Sequence, residues 1–120
     1  MSKIVVVDDM APVLKLIEAC LQSANHTVVT YPDADHLEEK LLQDWPDLII
    51  LDVVMPGRNG FQVCRDLKSD DRFKRIPVVL CTSKDQESDK FWGEKQGASA
   101  YLVKPFKPED LIATVKKALA

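Results

Sequence analysis

An open α/β sheet, parallel in its strands and covered by helices on both faces, is the fold class that the sequence predicts. Three observations carry it. Short β-branched runs alternate five times with segments of helical periodicity along the 120 residues. The first run, Lys3-Ile4-Val5-Val6-Val7, is nearly all apolar, as a strand covered on both faces must be. The length and the 46% hydrophobic fraction suit one core without disulfides or a structural metal, so residues 1–120 are read as a single domain.

Each element has its own signal. After the first strand, Pro12 opens a helix in which Val13, Leu14, Ile17, Leu21 and Ala24 recur at helical spacing. Asn25 suits the left-handed turn that ends it. Thr27–Tyr31 is the second strand, and Leu37 and Leu41, with Ala34 behind them, mark the second helix. The helix-breaking pair Trp45-Pro46 leads into a third strand, Asp47–Leu51. Phe61, Cys64 and Leu67 share one face of a third helix that begins after Asn59-Gly60. Pro77–Thr82 is the fourth strand, followed by a weaker helix from about Gln86 to Gln96, stopped by Gly97. Ser88, Asp89 and Gly93 have poor helix propensity, and only Phe91 and Trp92 are large and apolar there. Trp92 is read either as core packing or as a binding anchor, and this helix is expected to be the segment that moves. Ala100–Val103 is a short fifth strand. Pro108 opens the last helix, with Glu109 and Asp110 in its first turn and Lys116 and Lys117 in its last, matching the helix dipole. Right-handed crossovers between parallel strands place helices on both faces.

Bulk chemistry excludes several classes. A net charge of −3, with no basic stripe, argues against nucleic acid or an anionic membrane as the partner. No apolar run approaches a membrane span, and MSKIVVVDD reaches acids before a signal peptide can form, so a soluble, cytoplasmic protein is expected. Cys20, Cys64 and Cys81 lack metal-ligand spacing and are expected to be small buried hydrophobes in a reducing compartment. His26 and His36 are expected in a turn or on a solvated helix face rather than as ligands.

The strand ends carry the chemistry. Asp8 and Asp9 follow the first strand, Asp52 ends the third, Thr82 the fourth and Lys104 the fifth. In a parallel sheet these ends share one edge, where open α/β sheets bind ligands. Taken singly, Asp8 or Asp9 is explained as a helix-entry acid, Thr82 as a β-branched strand residue, and Lys104 as a solvated lysine. Asp52 is harder to explain structurally, since it interrupts a buried run and is followed by Val53-Val54-Met55. Together they gather three carboxylates, a hydroxyl and an ammonium. Carboxylates so crowded need a compensating charge, and Mg²⁺ suits one or two of them together with waters and phosphate oxygens.

Four blocks then carry a resemblance: Asp8-Asp9 after a VVV strand, LDVVMPGRNG around Asp52, PVVLCTSK around Thr82 and GASAYLVKPF around Lys104. In this order and at these separations, they resemble the response-regulator receiver domains of two-component signalling, over essentially the whole chain. The resemblance implies a flavodoxin-like doubly wound sheet in the order 2-1-3-4-5. It implies that Asp52 accepts a phosphoryl group, and that Asp9, Asp52 and the carbonyl of Val54 bind Mg²⁺, with Asp8 binding directly or through water. It further implies that Thr82, the N–H of Ser83 and Lys104 hold the phosphoryl oxygens, with a cis bond from Lys104 to Pro105. Thr82 and Tyr101 would form the switch. The stretch SKDQESDKFWGEKQGA resembles receivers of type IV pilus twitching and phototaxis systems.

Two positions depart from the common receiver pattern. Val54 stands where many chemotaxis-type members carry a polar side chain, and Lys84 where some carry an acid. Both flank the path of the hydrolytic water, so the lifetime of the phosphate is left open. Two other functions use similar parts. A haloacid-dehalogenase-like phosphatase needs an acid two residues beyond its nucleophile, where this chain has Val54. A flavodoxin-like flavin-phosphate module needs a Gly/Ser/Thr-rich first loop, where this chain has Asp8-Asp9. The expected partners are a sensor histidine kinase or phosphotransfer domain, and an output protein. The output protein is expected on the face of the fourth helix, fifth strand and fifth helix. With the last helix ending at the final residue, no attached output domain is expected, and the chain should be a monomer or weak dimer.

Overall fold

In the computed structural model, which describes residues 2–120, five parallel strands form one sheet in the order β2-β1-β3-β4-β5. The strands are β1 (Lys3–Val7), β2 (Thr27–Tyr31), β3 (Leu48–Leu51), β4 (Val78–Thr82) and β5 (Ala100–Val103). Between and after them run α1 (Ala11–Ser23), α2 (Leu37–Gln43), α3 (Gly60–Lys68), α4 (Glu87–Lys95) and α5 (Pro108–Leu119).

The apolar strands are explained by what covers them. Val5, Val7, Ile49, Leu51, Val78 and Leu80 face one core, packed by α2 and α3 through Leu37, Leu41, Val63 and Leu67. Their neighbours Ile4, Val6, Leu48, Ile50, Val79 and Cys81 face the other, packed by α1 and α5 through Leu14, Ile17, Leu21, Leu111 and Val115. Strand alternation therefore splits each run between two cores, and neither set of positions can be polar.

Local chemistry sets the ends. Pro12 lies in the first turn of α1 and Pro108 in that of α5. Asn25 takes the left-handed turn at φ 70°, and Gly97 does so after α4 at φ 95°. The Asn59 side chain accepts a hydrogen bond from the Gln62 N–H and caps α3. Several boundaries differ from expectation, three of them where a hydrogen bond shows the cause. Asp47 lies outside β3, where its carboxylate accepts the Lys3 backbone N–H at 2.8 Å. Pro77 lies outside β4, its carbonyl accepting the Ile49 N–H at 3.0 Å. Gln86 precedes α4, with its N–H donating to Asp89 at 3.2 Å in the first turn.

One burial expectation is corrected, and one open reading is decided. Cys64 and Cys81 are buried, but Cys20 is half-buried, its thiol near the Pro108 carbonyl. Trp92 is not core: it is 51% exposed and Phe91 60%, while Gly93 is the buried residue of α4. A helix that buries only a glycine must touch the sheet through backbone rather than side chains. A Cβ on Gly93 would come within 3.0 Å of both Leu80 and Tyr101.

Candidate functional site

Hydrogen bonds continue past the strand ends and fix the site in register. The Asp52 N–H donates to the Val7 carbonyl at 3.0 Å, and the Asp8 N–H to the Tyr31 carbonyl at 3.2 Å. On the other side, the Lys104 N–H donates to the Thr82 carbonyl at 2.8 Å. These bonds bring Asp8, Asp52, Thr82 and Lys104 to one edge of the sheet, as the strand pattern predicts. The Lys104–Pro105 bond is cis, as the resemblance implies.

The carboxylates converge there. Asp8 is 1% exposed and Asp52 6%, whereas Asp9 is exposed at the mouth, and carboxylate oxygens of all three lie within 4.8 Å of one another. Each buried acid is held on both oxygens. Asp8 accepts from the Met10 N–H at 2.9 Å and from Lys104 Nζ at 2.5 Å. Asp52 accepts from the Val54 N–H at 3.3 Å and from Lys104 Nζ at 3.2 Å. Burial on its own pulls the Lys104 pKa down. The hydrogen bond to Asp8 and the charges of Asp52 and Asp8 outweigh it, so the pKa is raised and the lysine stays an ammonium. With one cation against three carboxylates, a deficit of positive charge remains. The all-oxygen donor set, two acids buried and one open to water, fits a hard divalent cation.

Thr82 is fully buried, and its hydroxyl accepts the Lys84 N–H at 3.4 Å. Ser83 and Lys84 are exposed on the following loop. The Tyr101 hydroxyl donates to the Lys84 carbonyl at 2.8 Å, so the ring bridges β5 to that loop while packing against Gly93. Burial, then the nearby Asp89, Asp52 and Asp85, push the Tyr101 pKa up to about 12.

The loop from Asp52 to α3 holds Val54 and two residues, Arg58 and Gly60, whose contacts pattern reasoning does not show. Val54 is exposed beside Asp52. Gly60 opens α3 where a Cβ would meet the Asp52 carbonyl oxygen at 2.2 Å, so only glycine lets the helix approach the acid's own backbone. Arg58 ties the loop to both neighbouring helices, donating to Glu38 at 2.8 and 3.0 Å and to Asp66 at 2.9 Å. Its hydrogen bond is the main cause that lowers the Glu38 pKa, against the opposing effect of burial. In the sequence Gly60 signals only a helix start, as part of Asn59-Gly60. Arg58 had no signal, because its partners lie on two other elements.

Comparison with known proteins agrees with this geometry. The family model described as the response regulator receiver domain matches residues 4–116. Protein PilH of Pseudomonas aeruginosa is 40% identical over 120 residues, covering 100% of this chain and 99% of that protein. The phosphate regulon transcriptional regulatory protein PhoB of Escherichia coli is 37% identical over 114 residues, 95% of this chain but 50% of PhoB. A crystal structure of a putative response regulator from Chloroflexus aurantiacus superposes with a TM-score of 0.93 at 30% identity, covering 98% of this chain and 97% of that one.

Proposed function

The chain belongs to the response regulator receiver family and is a two-component response regulator, and on that premise we propose that Asp52 is its phosphoacceptor. The observation that carries the proposal is the placement of Lys104 Nζ between two buried carboxylates, Asp8 and Asp52, at the sheet edge. A buried acid at the end of an apolar strand is costly unless it has a task, and here it is held ready by an ammonium.

Asp8, Asp9, Asp52 and the Val54 carbonyl would hold Mg²⁺, which when bound neutralises charge building on the phosphoryl oxygens. In the transfer, a carboxylate oxygen of Asp52 attacks the phosphorus of a phosphohistidine on the kinase or phosphotransfer domain. The new P–O bond forms as the P–N bond breaks, and the departing imidazole nitrogen keeps the electron pair and takes up a proton. Lys104, already 3.2 Å from Asp52, turns its ammonium to a phosphoryl oxygen. The Thr82 hydroxyl leaves the Lys84 N–H and donates to another, helped by the Ser83 N–H. That movement frees space near Tyr101, whose release from the Lys84 carbonyl would signal the new state to the α4-β5-α5 face, where an output protein binds. Thr82 and Tyr101 are thus the switch pair, and the domain is a signalling switch that assists only its own phosphorylation and dephosphorylation.

The setting proposed is cytoplasmic, in pilus-based motility or taxis, with the receiver acting as a monomer or weak dimer. The full-length match to PilH and the segment from Ser83 to Ala98 support that setting. A phosphatase of the haloacid-dehalogenase type is not favoured, because the exposed Val54 offers no proton two residues beyond Asp52. Incubation with a small acyl phosphate and Mg²⁺ tests the proposal by intact mass. One phosphoryl group should be gained and then lost to hydroxylamine, and Asp52→Asn should gain none. Equal labelling of Asp52→Asn would overturn it.

A further inference from the structure

On the α3 flank of α4, away from the β5 side, lies a groove of about 620 Å³ bordered by Arg65, Lys68, Phe91, Trp92, Lys95 and Gln96. A second depression shares Arg65, Trp92 and Gln96 with it and is bordered also by Phe61 and Asn59, so Trp92 lines both parts of the groove. Its floor and walls include two large exposed aromatics, which a helix facing only water has no reason to retain. Its polar lining is one-sided. Three cations border it and no acid does, in a chain with 19 acids against 16 bases. Among the described residues Arg65 and Lys95 form no ion pair, and the Lys95 ammonium lies 5.3 Å over the Phe91 ring. Lys68 is spent on the Ile76 carbonyl at 2.7 Å, which leaves Arg65 and Lys95 as the free charges.

We propose that this α3–α4 groove is a docking site for an acidic segment of a partner protein that carries one apolar anchor residue. The anchor lies against Trp92 and Phe91, and the acids flanking it meet Arg65 and Lys95. Exposed Trp with Arg beside it is the composition of interface hot spots, and the uncompensated positive charge selects the sign of the partner. Nucleic acid suits the site less, because the cations flank a short channel rather than tracking a backbone, and the molecule as a whole is negative. The surface is distinct from the α4-β5-α5 face, whose groove is lined by Lys90, Glu94 and Tyr101. It does not depend on the chemistry of Asp52.

The test uses the full chain with Trp45→Phe, leaving Trp92 as the single indole. Three synthetic peptides of equal length serve as probes: Asp and Glu around one central Leu, the same with Leu replaced by Ser, and the same with Lys for every acid. The acidic Leu peptide should change Trp92 emission saturably, and the other two should bind at least tenfold more weakly. Arg65→Glu with Lys95→Glu should reverse the preference toward the Lys peptide. Both sites are exposed, and acyl phosphate labelling of Asp52 should be unchanged in that variant, separating this result from a failure of the phosphoacceptor assignment. Equal response to acidic and basic peptides, or none to either, would overturn the proposal. So would emission that changes with protein concentration alone, alongside dimers in sedimentation, since a second copy would then be the occupant.

Discussion

Lys104 holds two buried acids with one ammonium, and the metal-free state depends on that contact. Removing it leaves Asp8 and Asp52 facing each other with little water to screen them. Lys104→Ala should therefore cost about 2–4 kcal/mol in chelator, toward the low side for a broken buried pair because the lysine side chain keeps some exposure to water. Denaturant midpoints with and without Mg²⁺ check this, and Mg²⁺ should restore more stability to the variant than to the parent. An equal gain in both would contradict it. The two tyrosines report the acidic surroundings differently. Burial first, then the hydrogen bond to Asp44, pushes Tyr31 up to about 12, matching Tyr101. A raised folded-state pKa gives stability that is complete below the unfolded value of about 10 and is lost as pH climbs toward about 12. Tyrosinate absorbance should lag behind a free tyrosine standard while circular dichroism still reports a folded chain. Coincident titration with the standard would refute the burial of both rings.

Among the elements, α4 departs most from what its sequence suggests. Helix ends at Pro12, Asn25, Asn59 and Pro108 were legible because each rests on local backbone chemistry. The direction of Trp92 was not. With only Phe91 beside it, the helix shows no periodic stripe, and an isolated aromatic does not reveal which flank it occupies. The expectation of a weakly anchored helix agrees with a single buried residue, Gly93, against Tyr101 and Leu80. That contact is where a change at Tyr101 would be felt first. In Trp45→Phe, addition of beryllofluoride and Mg²⁺ should change Trp92 emission, the change disappearing in Asp52→Asn and shrinking in Thr82→Ala. An unchanged spectrum despite confirmed occupancy would mean that α4 does not respond.

Across the whole molecule, two cores on opposite sheet faces leave the strand ends as the place where polar groups can gather. The site was largely readable for that reason, since parallel strands convert four separated stretches of sequence into one edge. What could not be read were contacts set by tertiary approach. The Arg58 tie to Glu38 and Asp66, the Gly60 backbone contact, and the Tyr101 hydroxyl on the Lys84 carbonyl have no periodic signature. The same edge predicts a global effect. A cation bound only by the folded chain stabilises it by about 2.7 kcal/mol at 100 times its dissociation constant, so millimolar Mg²⁺ should raise the melting temperature. Asp9→Asn should weaken that rise. Its gain in metal-free stability should be small, because Asp9 is exposed and water already screens it. A melting temperature indifferent to Mg²⁺ would contradict the acidic pocket. The most direct test locates the phosphoryl group itself. Reduction of the acyl-phosphate-treated protein with borohydride converts a phosphorylated aspartate to homoserine, and peptide mass spectrometry reads its position. The account predicts homoserine at position 52 and at no other; homoserine at Asp8, at Asp9 or at any residue outside this edge would contradict it.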